Sequence, residues 1–196
     1  MKRNLYIMVK EPHPGLVKTR LGRDLGHVKA AWWFRHQTRA LINRLSKDRR
    51  WTTILAVSPD HEGFASRVWP INIARQAQGP GNLGQRMGRL LRTSSPGPVV
   101  IIGSDVPGIT SQNIAKAFKA LGTHDAVVGP APDGGYWLIG VKNKRAVPRG
   151  LFNNVRWSTE HALADTLETF GDFRVKKIDV LQDIDTFEDL KTHTPA

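Results

Sequence analysis

The residues best suited to chemistry stand just after short apolar runs. Gly103-Ser104-Asp105-Val106-Pro107 follows Pro98-Val99-Val100-Ile101-Ile102, the most hydrophobic run in the sequence. A carboxylate at a strand's carboxyl end, followed by a proline that stops the chain continuing, suits a hard cation such as Mg²⁺ or Mn²⁺ held against a diphosphate. The same Asp105 equally suits the cap of a following helix. Asp133-Gly134-Gly135 offers a second carboxylate and two glycines that let backbone approach a ligand; a plain hairpin turn accounts for the same residues. Asp183-Ile184-Asp185-Thr186 sets two acids two residues apart, on one side if the chain is extended. Asp185 or Thr186 also fits the N-cap of a last helix whose first turn carries Glu188 and Asp189.

Cations gather after an earlier run. Leu5-Tyr6-Ile7-Met8-Val9 leads into Lys10-Glu11-Pro12-His13-Pro14-Gly15-Leu16-Val17-Lys18-Thr19-Arg20-Leu21. Pro12, Pro14 and Gly15 shape a loop, and Lys10, Lys18, Thr19 and Arg20 supply charge and donors for phosphate oxygens, although an ordinary basic loop has the same composition. The GxxxxGK[ST] pattern is absent, which disfavours P-loop chemistry. Gln78-Gly79-Pro80-Gly81-Asn82-Leu83-Gly84-Gln85-Arg86-Met87 is a glycine-rich approach to a helix where backbone N–H groups and Arg86 can meet an anion, or a simple loop. In Arg156-Trp157-Ser158-Thr159, Ser158 or Thr159 suits an N-cap, and Trp157 suits the core or a stacking platform. Seven histidines form no HxxxH or HxH pair and cysteine is absent. A histidine metal centre, a thiolate nucleophile, a disulfide framework and a Cys-based zinc site are therefore disfavoured or excluded.

These segments need elements to position them. Buried strands are expected at 5–9, 52–57, 98–103, 125–128, 136–141 and 174–179, with a weak one at 71–75. Helices are expected at 27–47, 62–68, 83–91, 111–121 and 159–169, with a short one at the end. Strands alternating with helices predict a single α/β domain over 1–196, with a mostly parallel sheet covered on both faces. In such sheets ligands bind beyond the carboxyl ends of the strands, where the acids and cations above fall.

The chain has 196 residues and a formal charge of +12. Residues 1–98 carry 18 Lys and Arg against 5 Asp and Glu, a net of +13, whereas the rest carry 11 against 12. A polyanion is one reading of that excess and a solvated basic helix face is another. The start is basic, but its apolar run ends at Lys10 without a small-residue cleavage site, so no signal peptide is expected. No stretch approaches the roughly 18 apolar residues of a membrane helix. A cytoplasmic protein is the expectation.

Together these motifs resemble a bacterial family assigned to the GT-A-type glycosyltransferases, some associated with arsenosugar biosynthesis. The recurring segments are K-x-P-x-P-G-x-V-K-T-R-L, Q-x-x-G-x-L-G-x-R-M, G-S-D-x-P, D-G-G-Y-x-L-I-G, W-S-T and D-x-D-T-x-x-D-L. They stand here at Lys10–Leu21, Gln78–Met87, Gly103–Pro107, Asp133–Gly140, Trp157–Thr159 and Asp183–Leu190. The resemblance implies the nucleotide-diphospho-sugar transferase fold, a three-layer α/β/α sandwich. It implies a nucleotide or nucleotide-sugar donor and a small-molecule acceptor. The donor would be bound through Lys10, Pro12, Gly15, Lys18, Thr19, Arg20, Gln78, Gly84, Arg86, Gly134, Gly135, Trp157 and Ser158. A divalent metal, Mg²⁺ or Mn²⁺, would sit on Asp105 and Asp185, and Asp133 would face the acceptor as base. The usual D-x-D is replaced at the strand end by Ser104-Asp105-Val106, so Asp105 must work with Asp133, Asp183 or Asp185 if metal dependence is to match the family's. The alternative activity is nucleotidyl transfer from a nucleoside triphosphate to a phosphorylated acceptor, as in guanylyltransferases with a similar lysine and K-[ST]-R-L segment. A non-catalytic polyanion binder lacks any recognisable nucleic-acid module, so neither nucleic acid nor membrane is expected as a partner.

Overall fold

The structure, a computed structural model, describes residues 2–142 and 147–192; His193, one of the seven histidines, lies outside them. In β1 (Asn4–Lys10), Leu5, Ile7 and Val9 alternate with Tyr6 and Met8, so the strand contributes side chains to two separate cores. β1 pairs parallel with β2 (Thr52–Ser58), which pairs parallel with β3 (Ala74–Ala77). On its other side β1 lies parallel to β4 (Val99–Ile102). β5 (Ala126–Pro130) and β6 (Tyr136–Val141) are antiparallel, β6 joins β4 antiparallel, and β7 (Val175–Lys177) lies parallel to β5. The sheet order is β3-β2-β1-β4-β6-β5-β7.

Helices cover both faces. α1 (Thr19–Leu25) leads into α2 (His27–Ser46), whose Phe34, Leu41, Ile42 and Leu45 pack with α5 (Ser111–Ala120) over Leu5, Ile7 and Val9. The opposite face takes Met87, Leu90 and Leu91 of α4 (Leu83–Thr93) and Ala162 of α6 (Ala162–Glu168) against Tyr6, Ala56 and Ile139. Asn82 with Gln85 and Thr110 with Asn113 form capping boxes that fix where α4 and α5 begin. This is the three-layer α/β/α arrangement that the alternating pattern predicts. Among the described residues no helix is long and apolar enough to cross a membrane.

Several boundaries differ from expectation. Residues 19–21, read as the end of a loop, instead open α1, which Gly26 separates from α2 at a positive φ of 84°. The weak strand expected at 71–75 lies at 74–77, because Ile71 is 95% exposed and its apolar side chain packs against nothing. The helix expected at 62–68 is α3 (Asp60–Ala65), which starts directly after Pro59 and stops where Ser66 turns extended. The helix expected at 159–169 shortens to α6, and the strand at 174–179 shortens to three residues. The last helix is α7 (Phe187–Thr192).

Candidate active site

A cleft of about 750 Å³ opens at the carboxyl ends of β1, β2 and β4, where antiparallel β6 begins. Its wall joins segments far apart in sequence. Asp105 leaves β4, and its carbonyl accepts a hydrogen bond from the Ile184 N–H at 3.3 Å. Ile184 is buried, so Asp183 and Asp185 flank an anchored side chain and both line the cleft. Carboxylate oxygens of Asp105, Asp183 and Asp185 all lie within 4.8 Å of one another.

Asp105 caps no helix, and of the two N-cap candidates at the last helix Thr186 does the capping. Thr110, not Asp105, caps α5. At α7 the Thr186 hydroxyl accepts from the Asp189 N–H at 3.2 Å, while Asp189 Oδ2 accepts from the Thr186 N–H at 2.8 Å. The Asp185 carboxylate is left for the cleft.

Lys18 occupies the centre of this acidic group. Its ammonium donates to Asp185 Oδ1 at 2.5 Å and to Asp105 Oδ2 at 3.2 Å. Its side chain is 5% exposed, against 66% for Arg20, which reaches Asp185 Oδ2 at 3.5 Å. Backbone geometry explains the inward placement: Lys18 adopts the left-handed conformation at φ 45° and ψ 48°, directly before α1. A non-glycine residue there is uncommon and costs energy, which the surrounding ion pairs offset. Burial alone would lower the Lys18 pKa, but Asp105 and Asp185 outweigh it and hold it raised. Asp183 is pushed up to about 6, by burial first and then by the charges of Asp185 and Asp105.

The other expected residues divide. Lys10, Thr19, Gln78, Arg86, Gly135, Trp157, Ser158 and Asp133 line the cleft with Lys18, Arg20, Asp105 and Asp185. Lys10 Nζ donates to the Leu16 carbonyl at 2.8 Å, and Arg86 Nε to the Gly81 carbonyl at 2.9 Å. Gln78 Nε2 donates to the Val9 and Ala56 carbonyls, tying its side chain to the ends of β1 and β2. Asp133 makes the turn and faces the cleft at once, since its Oδ1 accepts from the Gly135 N–H at 2.9 Å. Trp157 packs against Phe152 at 5.9 Å and Tyr136 at 6.4 Å, as a core role requires, and it also lines the cleft.

Pro12, Gly15, Gly84 and Gly134 do not line the cleft. Gly84 is a packing glycine: a Cβ there would meet Phe152 and Trp157, each at 2.7 Å. Gly134, at φ 82°, lets the chain pass close to the Glu160 backbone. Gly15 serves a turn at φ 77°. Sequence reasoning left Asp183 as one optional partner among several and did not single out Ser58, Tyr136 or Glu160, which also line the cleft. The two-residue spacing from Asp185 was the available signal for Asp183. Burial raises the Tyr136 pKa.

Three hard, converging oxygen donors with one carboxyl held well above its ordinary pKa match the needs of a small dication, which binds carboxylates and relieves their mutual repulsion. The donor set therefore fits a divalent metal. Asp183 joins the expected Asp105 and Asp185 in this donor set.

Fold and site together define a nucleotide-diphospho-sugar transferase-like protein with an aspartate cluster suited to metal. The chain belongs to the family of uncharacterized proteins conserved in bacteria, DUF2064, whose pattern matches residues 41–159. A solved structure described as a "putative nucleotide-diphospho-sugar transferase" from Desulfovibrio desulfuricans G20 is 29% identical, with a TM-score of 0.84 over 97% of this chain and 85% of that one. CMP:2-keto-3-deoxy-manno-octonic acid synthetase, solved with CTP, shares the fold at 9% identity and a TM-score of 0.63, covering 97% and 96%. Rv0371c from Mycobacterium tuberculosis H37Rv, solved with manganese, does so at 13% identity and 0.53, covering 97% and 97%. No curated protein matches the sequence.

Proposed function

We propose that this protein is a glycosyltransferase that takes a nucleotide-diphosphate sugar as donor and a small hydroxylated molecule as acceptor. The observation that carries the reading is the carboxylate triad facing a row of cations in one cleft at the strand ends. Lys10, Lys18, Arg20 and Arg86 bind the diphosphate, the arginines through their forked donors. Asp105, Asp183 and Asp185 hold a divalent ion, which supplies neutralisation of charge on the departing diphosphate. Asp133 takes the proton of the acceptor hydroxyl as that oxygen bonds the sugar's anomeric carbon. The bond from that carbon to the diphosphate oxygen breaks, and its electron pair leaves with the nucleoside diphosphate. Gly135 N–H fixes the Asp133 carboxyl in orientation, leaving Oδ2 for the acceptor. The size of the cleft, about 750 Å³, suits a nucleotide with an attached sugar.

The second reading is nucleotidyl transfer, favoured by the shared fold with the CTP-bound synthetase. Products separate the two. Incubation with nucleotide sugars, nucleoside triphosphates and Mn²⁺ yields nucleoside diphosphate under the first reading and pyrophosphate from a triphosphate under the second. Release of neither product, with no thermal stabilisation by any nucleotide at concentrations about 100 times a plausible Kd, would discard both, since a true ligand adds roughly 2.7 kcal/mol under those conditions.

A further inference from the structure

The cleft contains its own substitute for a metal. Lys18 Nζ already bonds two of the three carboxylates that would ligate a dication, at 2.5 and 3.2 Å, from a side chain only 5% exposed. A Mg²⁺ or Mn²⁺ ion would draw on the same carboxylates, at about 2.0–2.2 Å. The carboxylate oxygens span no more than 4.8 Å, so an ion among them and an ammonium bonded to two of them would be near neighbours. Like charges that close, in a site only partly open to water, repel strongly. A metal and the Lys18 ammonium compete for the negative charge of the same carboxylates.

The backbone of Lys18 is fixed by its left-handed turn and by its carbonyl, which accepts the Gly22 N–H at 2.8 Å. Its four-carbon stem is free to rotate about that fixed point. Besides the cluster, the described wall of the cleft carries only the single carboxylates Asp133 and Glu160, and no second group of three stands ready to receive the ammonium. The remaining cations of the wall, Lys10, Arg20 and Arg86, would repel it. An incoming polyphosphate supplies the missing anion.

We propose that Lys18 is a counter-ion gate: it neutralises the Asp105–Asp183–Asp185 cluster in the free protein, and a divalent ion enters by displacing its ammonium onto the phosphates of the donor. The gate rests on the site binding a metal and a nucleoside polyphosphate. It makes those two ligands partners. Each raises the affinity for the other by the same factor, and the free protein takes up metal weakly. Arg20, exposed and at the margin of the cluster, is not part of the gate.

The test is Mn²⁺ binding, read by loss of the free-ion electron paramagnetic resonance signal, on the parent, Lys18→Met and Arg20→Met. Titrations are run alone and with UDP, GDP or CDP, with Mn²⁺ complexed by free nucleotide subtracted. Without nucleotide, Lys18→Met should bind Mn²⁺ roughly tenfold more tightly than the parent, while Arg20→Met stays within about threefold. A diphosphate that binds should tighten Mn²⁺ on the parent by a comparable factor and have little such effect on Lys18→Met. The parent titrations need no variant, so they stand even if Lys18→Met unfolds. The gate is overturned if Lys18→Met binds Mn²⁺ no more tightly than the parent. It is overturned equally if a diphosphate that binds leaves the parent's Mn²⁺ affinity unchanged. If Lys18→Met tightens Mn²⁺ while no diphosphate binds at all, the displacement of Lys18 stands and the nucleotide-donor reading falls.

Discussion

Among the described residues, the four basic side chains lining the cleft, Lys10, Lys18, Arg20 and Arg86, come from the first 98 residues, and the five acidic ones come from the remainder. The two sets are also carried differently. The cations sit at the end of β1, at the start of α1 and on α4, on long stems, and all four spend donors on backbone carbonyls or on carboxylates across the cleft. The acids follow strand ends or tight turns, on short stems, and are held by main-chain bonds such as Ile184 N–H to Asp105 and Gly135 N–H to Asp133. The fold closes a charge seam between a basic half and a near-neutral one. The adaptable side of the seam is the cationic side, which suits it to ligands whose phosphates vary in position. The rigid side is the acidic one, which suits a small ion that demands fixed oxygens.

Breaking the rigid side should cost most. Asp105→Asn removes one charge from the cluster while keeping shape and hydrogen-bonding capacity. Metal-dependent nucleotide binding should weaken by more than roughly tenfold, the loss already usual for groups that only support a ligand. Thermal stability without metal should stay near the parent's, since Lys18 retains Asp185. Calorimetric titration with Mn²⁺ present checks this, and a variant that keeps metal-stimulated nucleotide binding removes Asp105 from the site. Arg86→Ala on the adaptable side should cost about tenfold in nucleotide affinity, the worth of one charge-assisted hydrogen bond, with Mn²⁺ uptake by the free protein unaltered. If Arg86→Ala instead impairs metal uptake, the two sides of the seam are not separate devices.

A further prediction concerns pH. The folded Asp183 carboxyl titrates at about 6, above its ordinary 3.8, so the folded state holds that proton more tightly than the unfolded chain does. Its contribution to stability is therefore largest below about 3.8 and declines as pH rises towards 6. Asp183→Asn should abolish that decline and leave the metal-free protein more stable at pH 7 by about 1 kcal/mol, allowing for water around a half-buried carboxyl. Thermal denaturation of parent and variant between pH 4 and 7 measures the difference. Parallel curves would show that the cluster does not repel itself.

Much of this was legible beforehand, and the unread part has a common cause. The Val99–Ile102 strand, the Asp105 strand end and the helices α4 and α5 follow from local hydrophobic patterns, which sequence records directly, whereas the caps Asn82 and Thr110 went unread. The separation of cation-rich and acid-bearing halves was visible as arithmetic. What could not be read is the pairing of Lys18 with Asp185 across 167 positions, because no local rule links residues that far apart. The sequence therefore offers Lys18 as a phosphate ligand without showing that its ammonium also pairs with Asp105 and Asp185. Asp183 was underweighted for the same reason: its raised pKa depends on burial around Ile184 and on Asp105, neither of which the DID segment reveals. Gly84 misled in the opposite direction. Its neighbours Phe152 and Trp157 lie about 70 residues away, so a packing glycine resembled a phosphate-loop glycine.

Arg20 should show the smallest effect and tests how much burial matters. It stands two residues after Lys18, in the first turn of α1, and touches the same Asp185, yet at 3.5 Å and with 66% of its side chain exposed, against 2.5 Å and 5% for Lys18. Water and salt screen such an exposed pair, and holding two side chains together costs entropy, so its net worth is at most about 1 kcal/mol. Arg20→Ala should shift folding stability by less than about 0.5 kcal/mol and weaken nucleotide binding only about two- to fivefold. That loss should shrink further as salt rises from about 0.05 to 0.5 M, because the screening length falls several-fold over that range. Nucleotide affinities for parent and variant at both salt concentrations provide the measurement. A loss larger than that of Arg86→Ala, or one insensitive to salt, would mean that Arg20 turns inward when the donor binds and acts as a buried phosphate clamp, and the division between a buried Lys18 and a solvated Arg20 would hold only for the free protein.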